Sequence, residues 1–236
     1  MKIKQRESFK LHYGKYLYKV CLSNQLSNLF GSHRTEQYRA MILNDLKRDY
    51  ENGTALQLTR WRSSTVIDNE DFKDALFLNR IFKKYTDYRK RVEFANSIII
   101  YTSDDDMVDE LVTNLSDCIK EIHRPKEGIE AFLVQNIGTA IVKTPPEHEF
   151  RVYLKGNQID PSFANWLKAN EDKCKVGVMT LWNIKNSSYH TNNNYFYIKN
   201  EKVLTMVRMI VGHNIRKVER LVYQGDIDKY THADKK

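Results

Sequence analysis

The residues that could do chemistry stand in three places. Asp160 followed by Glu171 and Lys173 has the carboxylate, then Glu-x-Lys, order by which a metal-dependent nuclease gathers a divalent ion and a water. Here, however, the Glu-x-Lys lies in a polar stretch where a helix ends, not in an apolar strand that would bury it. Asp104, Asp105, Asp106 and Asp109 are dense enough for a cation, but acidic residues at a helix start are explained by capping and the helix dipole. His148 between Glu147 and Glu149 is a conceivable general base, placed after Pro145 and Pro146 in a loop whose composition favours solvation.

The seven histidines form no HxxxH or HExxH pair, and Cys21, Cys118 and Cys174 are too far apart for a zinc site or a disulfide framework. The phosphate-loop patterns GxxxxGK[ST] and GxGxxG and the GxSxG elbow are absent. No catalytic residue, metal ligand or cofactor is therefore assigned, and the reading leans away from an enzyme.

Basic residues interleaved with aromatics are the remaining signal. Arg60, Trp61 and Arg62, then Lys83, Lys84, Arg89, Lys90 and Arg91 with Tyr85 and Tyr88 among them, offer cations for phosphates and flat rings for bases. Tyr195 and Tyr197 share one side of the strand-like run YFYIK, as base-stacking aromatics do on RNA-recognition sheets, although the RNP1 pattern is missing. The net charge is +8, and residues 1–91 hold 19 basic against 10 acidic residues while 92–236 hold 19 against 20. Such asymmetry points to an anionic partner, nucleic acid first and an acidic protein or a membrane surface behind it.

The elements that must position these residues follow from periodicity. Tyr13–Leu22 alternates as a strand, and a short helix follows it from Ser23 to Gly31. Thr35–Asn52 repeats Tyr38, Ile42, Leu46 and Tyr50 every four residues as a helix, with Arg39, Lys47 and Arg48 on its other face. Leu56 and Leu58 start a strand into the Arg60 cluster. Asp68 caps a helix carrying Phe72, Leu76 and Phe82 that finishes in KKYTDYRKR, Lys83 to Arg91.

Beyond residue 91 two strand–cap–helix–strand units correspond at an offset of 96 residues: Tyr101 with Tyr197, Asp104 with Asn200, Leu111 with Val207, Ile119 with Ile215. Between them, Ile129–Val134, Thr139–Val142 and Glu149–Lys155 read as strands, Pro161–Trp166 as a short helix and Asn183–Asn194 as a polar loop. The expected fold is α+β: a helix-rich basic part, 1–91, packed on a mixed sheet with two βαβ (ferredoxin-like) units in 92–236. The two parts could form one compact domain.

The N-terminus lacks the apolar run of a signal peptide, no stretch approaches a membrane span, and three unpaired cysteines suit a reducing compartment, so the cytoplasm and no membrane partner are expected. The Asn- and Tyr-rich, motif-poor texture is similar to that of many accessory proteins of tailed bacteriophages, which implies a small binder of nucleic acid, host factors or virion components. The function expected is non-enzymatic nucleic-acid binding by a basic N-terminal surface. The alternatives are a phage-like assembly or interaction protein that meets an acidic partner, and a divalent-metal nuclease.

Overall fold

The computed structural model describes residues 3–60, 63–94, 96–155, 159–186 and 194–227. They group into one unit of Met1–Ser8 with Lys15–Lys126 and a second of Phe9–Gly14 with Glu127–Lys236.

The first unit runs β1 (Lys4–Ser8), β2 (Tyr18–Ser23), a 3-10 turn, α1 (Glu36–Glu51), the hairpin β3 (Gln57–Arg60) and β4 (Ser63–Val66), α2 (Asn69–Lys84), β5 (Tyr88–Glu93), β6 (Ser97–Thr102), α3 (Asp105–Leu115) and β7 (Ile119–Pro125). Its main sheet has the order β1-β7-β2-β6-β5, parallel only between β1 and β7. The second unit runs α4 (Glu130–Gln135), β8 (Thr139–Val142), β9 (Phe150–Leu154), α5 (Ser162–Ala169), β10 (Cys174–Val176), α6 (Val178–Lys185), β11 (Tyr195–Ile198), α7 (Glu201–Val211) and β12 (Ile215–Tyr223). Its sheet has the order β10-β11-β9-β12-β8, parallel only between β12 and β8.

The two topologies coincide. In each, a strand, a helical connection, two antiparallel strands, a helix and a last strand make a ferredoxin-like sheet whose first strand lies between the third and the fourth. In each, an added strand, β1 or β8, pairs in parallel with the last. The protein is α+β, and both strand–helix–strand units are present, β6–α3–β7 and β11–α7–β12, each in its own sheet rather than side by side in one.

The 96-residue offset runs through their cores. Met107, Val108, Leu111 and Leu115 are the buried residues of α3, and Val203, Leu204, Val207 and Val211, at the same spacing, those of α7. Both helices open alike: the Asp104 carboxylate accepts the Met107 N–H at 2.9 Å and the Asn200 side-chain oxygen accepts the Val203 N–H at 3.1 Å. Alternation sets which face the helices cover. Tyr18, Val20 and Leu22 of β2 face the first core, and Phe150, Val152 and Leu154 of β9 face the second.

Several elements differ from the sequence expectation. The strand expected over Tyr13–Leu22 is β2 and starts only at Tyr18, because Tyr13 (φ +54°) and Gly14 (φ +69°) turn the chain in the left-handed region, and the strand β1 before it was not expected. Helix α1 has the expected bounds, with Thr35 as its cap, yet its buried side is Arg39, Leu43 and Leu46. Arg39 is not on the solvent face: its Nε donates to Asn79 Oδ1 at 2.8 Å and its guanidinium lies over the Phe30 ring. A buried donor with a partner escapes the cost that would have kept it outside.

Helix α2 stops at Lys84, and Tyr88–Glu93 is a strand paired along its length with β6. The alternation of Tyr88, Lys90 and Val92 with Arg89, Arg91 and Glu93 has period two, and it takes precedence over the dipole argument that extended the helix. The boundary expected at residue 91 thus falls inside β5. Ile129–Val134 holds a helix, α4, where a strand was expected, since a short apolar run carries either period. Helix α6 was not expected at all.

Candidate nucleic-acid interface

In each sheet the helices cover one face, and the side chains of interest line up across the other. In the first unit the strand registers set Arg6, His123, Lys19, Tyr101 and Arg89 opposite one another across β1, β7, β2, β6 and β5. The adjoining row is Lys4, Glu121, Cys21, Ile99 and Arg91 across the same strands, offset by a bulge near Cys21. In the second unit the corresponding row is Glu219, Arg151, Tyr197 and Lys175 across β12, β9, β11 and β10. Tyr195, Tyr153 and Lys217 form its neighbour.

The same pattern therefore occurs twice: a cation on the first strand of the ferredoxin-like set, a tyrosine beside it, and a cation on the outer strand. Lys19–Tyr101–Arg89 matches Arg151–Tyr197–Lys175, with Tyr101 and Tyr197 at the 96-residue offset. Cations on outer strands also discourage edge-to-edge pairing. Lys19 and Arg151 lie in interior strands, where that explanation does not reach.

The two faces differ in accessibility. Tyr101 is buried in a small apolar cluster with Tyr16 and Ile99. Tyr195 is 39% exposed and Tyr197 half-buried, their rings meeting edge to face at 5.6 Å, with Tyr153 5.8 Å from Tyr195. Arg151 stands among the three rings, its guanidinium carbon 5.6 to 6.0 Å from each centroid, a cation–π geometry.

Beneath them Glu219, 2% exposed at its side chain, gathers Arg151 at 3.0 Å, Lys217 at 2.8 Å, Lys10 at 3.5 Å and the Tyr153 hydroxyl at 2.9 Å. Burial pushes this carboxyl up, but the Lys217 hydrogen bond, the Lys10 and Lys217 charges and the Tyr153 hydroxyl outweigh it and hold the group below the usual carboxylate range. Burial and the hydrogen bond to Glu219 push the Tyr153 phenol up to about 12. Because the folded Glu219 titrates below its ordinary 4.5, its contribution is complete above that pH and is lost as the pH falls through the folded value. Glu219→Gln should cost about 2 kcal/mol at neutral pH, less than the 3–5 of a fully buried pair because Lys10 and Lys217 reach water. Chemical denaturation at pH 7 and pH 3 checks this: the deficit should shrink at the lower pH.

The residues singled out in the sequence are dispersed. Arg60 ends β3, its side chain lying with Trp61 and Arg62 outside the described residues. Lys83 pairs with Glu36 at 3.2 Å and Lys84 with Glu110 at 2.5 Å, at the end of α2 rather than on a sheet face. Lys90 points to the helix-covered side and lies over the Phe82 ring at 4.7 Å, where burial lowers its pKa. Of that basic run Arg89 joins the first row and Arg91 the adjoining one, Arg91 also pairing with Glu93 at 3.1 Å. Tyr195 and Tyr197 share one side of β11 as expected, and that side is the second sheet's helix-free face.

Sequence reasoning missed Lys19, Arg151 and Lys175. Each stands one residue from an apolar strand position, so alternation could have placed them opposite the core, but pairing them with the tyrosines needed the registers. The charge division also changes on folding. The first compact unit holds 21 basic against 18 acidic residues and the second 17 against 12, so the surplus is not N-terminal in space.

The candidate acid groups do not converge. Asp160 precedes α5, accepting the Ser162 N–H at 2.8 Å, while Glu171 and Lys173 follow its far end, about 12 Å along the axis of an eight-residue helix. Asp105 and Asp109 both pair with Arg124, at 3.3 and 3.1 Å. Among the described residues no group of three His, Cys, Asp or Glu side chains could hold a metal ion, and no helix is long and apolar enough to cross a membrane. No family model, no curated protein and no solved structure matches the chain.

Proposed function

We propose that the protein binds nucleic acid, without reacting with it, through the helix-free faces of its two ferredoxin-like sheets. The observation that carries the reading is the repeated cation–tyrosine–cation row, Lys19–Tyr101–Arg89 and Arg151–Tyr197–Lys175. Cations spaced across a sheet suit the regular charge of a phosphate backbone, and in the second unit Tyr197 and the exposed Tyr195 give bases a flat neighbour, whereas the buried Tyr101 only packs beneath the first row. Arg91 adds a cation in the adjoining row of the first unit, and Lys217 in that of the second. Glu219 fixes the Arg151 guanidinium among the tyrosines, so this cation is held in place before any ligand arrives.

The experiment is a titration of the full chain into labelled nucleic acid over a range of salt. With three or four phosphates neutralised, the log–log slope of affinity against salt should be roughly −3, at about 0.9 per duplex contact and about 0.7 per single-strand contact. Absence of binding at low salt, or an affinity indifferent to salt, overturns the proposal and leaves the cations to an acidic protein partner.

A further inference from the structure

Beside the exposed tyrosines of the second unit lies an open groove of about 490 Å³, lined by Lys175, Val176, Val178, Met179, Tyr195 and Tyr197. Its apolar wall comes from the start of α6, where Val178 is 82% and Met179 68% exposed. Trp182, one turn further on and 54% exposed, continues that side of the helix. Large apolar side chains gathered at a surface mark a binding site. Here they adjoin the Tyr195 ring and a lysine, with the Arg151 guanidinium 5.9 Å behind that ring.

Resting on the function proposed above, we infer that this groove takes an unpaired base, making the protein a binder of single-stranded rather than duplex nucleic acid. The chemistry discriminates in a simple way. In a duplex the base faces are stacked on one another, and only phosphates and groove edges meet a protein, so Val178, Met179 and the Tyr195 face would gain nothing from it. An unpaired base offers two apolar π-faces, which fit between a tyrosine ring and an aliphatic wall, with its phosphates towards Lys175. The groove's size is within the range of pockets for small molecules. A flat, anionic occupant suits the groove: Lys175 stands beside the apolar patch, its ion pair with Glu147 at 3.6 Å is exposed on both sides and open to exchange for a phosphate, and the buried Glu219 is already engaged by Arg151 and Lys217.

The test measures anisotropy of a fluorescein-labelled single-stranded DNA or RNA oligonucleotide and of the same sequence annealed into duplex, with the full chain at one salt concentration. The single strands should bind more tightly. Tyr195→Ala should lose about tenfold on them and leave duplex binding unchanged, Tyr195→Phe should retain the affinity, and Val178→Ser, which leaves the tyrosines intact, should also weaken single strands selectively. Salt-sensitive binding with no preference for single strands, or a Tyr195→Ala effect equal on both forms, overturns this inference while leaving the proposed function standing. Absence of binding to every probe at low salt overturns both and turns the apolar patch towards a protein partner.

Discussion

The full chain carrying Arg89→Glu, Arg91→Glu and Lys175→Glu should bind single-stranded nucleic acid roughly a hundredfold more weakly than the wild type at about 0.1 M salt. Three phosphate contacts on a single strand, each contributing about 0.7 to the log–log slope, amount to roughly that factor, and the slope itself should become shallower by roughly 2. All three side chains are exposed, so the fold should tolerate the changes to within the small effects usual for surface positions. The informative control is Lys83→Glu with Lys84→Glu, in the same basic run of sequence. Those two cations face Glu36 and Glu110 at the end of α2, away from the row, and their reversal should cost far less binding. A triple variant that binds like the wild type would remove the rows from the interface.

Leu111→Ala is expected to destabilise the protein by roughly 2–5 kcal/mol, the range for a leucine removed from a packed core. Leu111 has no solvent exposure and lies at the centre of the buried side of α3. Its equivalent, Val207, is likewise fully buried in α7, and Val207→Ala should cost less because two carbon atoms are lost rather than three. The caps make a smaller matched pair: Asp104→Ala and Asn200→Ala should each cost about 1 kcal/mol by orphaning the N–H groups of Met107 and Val203. Denaturant unfolding reads all four. A Leu111→Ala protein as stable as the wild type would contradict the packing described, and unequal cap losses would argue against equivalent helix starts.

The helices at the heart of both units were legible because their signals are local. Asp104 and Asn200 stand just before apolar residues at helical spacing, and the stripes recur 96 residues apart. Strands β9 and β11 were legible through period-two alternation, and β6 through its run of β-branched residues, which is buried on both faces. The reading failed where two local signals competed. Lys83 to Arg91 is a basic run that suits a helix C-terminus, and from Tyr88 onwards it is also an alternating strand; pairing with β6 decides for the strand, because only there are its backbone groups satisfied. Arg39 failed for another reason, since the partner that makes its burial tolerable, Asn79, is 40 residues away.

The candidate site divides in the same way. Composition determined that the chain is basic and rich in tyrosine, and alternation determined that Tyr195 and Tyr197 share a face. Which cations accompany them was decided by strand order. In a ferredoxin-like sheet the first strand inserts between the third and the fourth, and this places Arg151 next to Tyr197 and Lys19 next to Tyr101 across separations of 46 and 82 residues. Charge counted along the chain puts the surplus before residue 91, whereas folding places the acidic start of α3 in the same unit as those cations and leaves the larger surplus to the other unit. Hydrophobic period and capping act between neighbours in sequence and can be read there. Register and charge pairing act between neighbours in space, and only the tertiary structure chooses those.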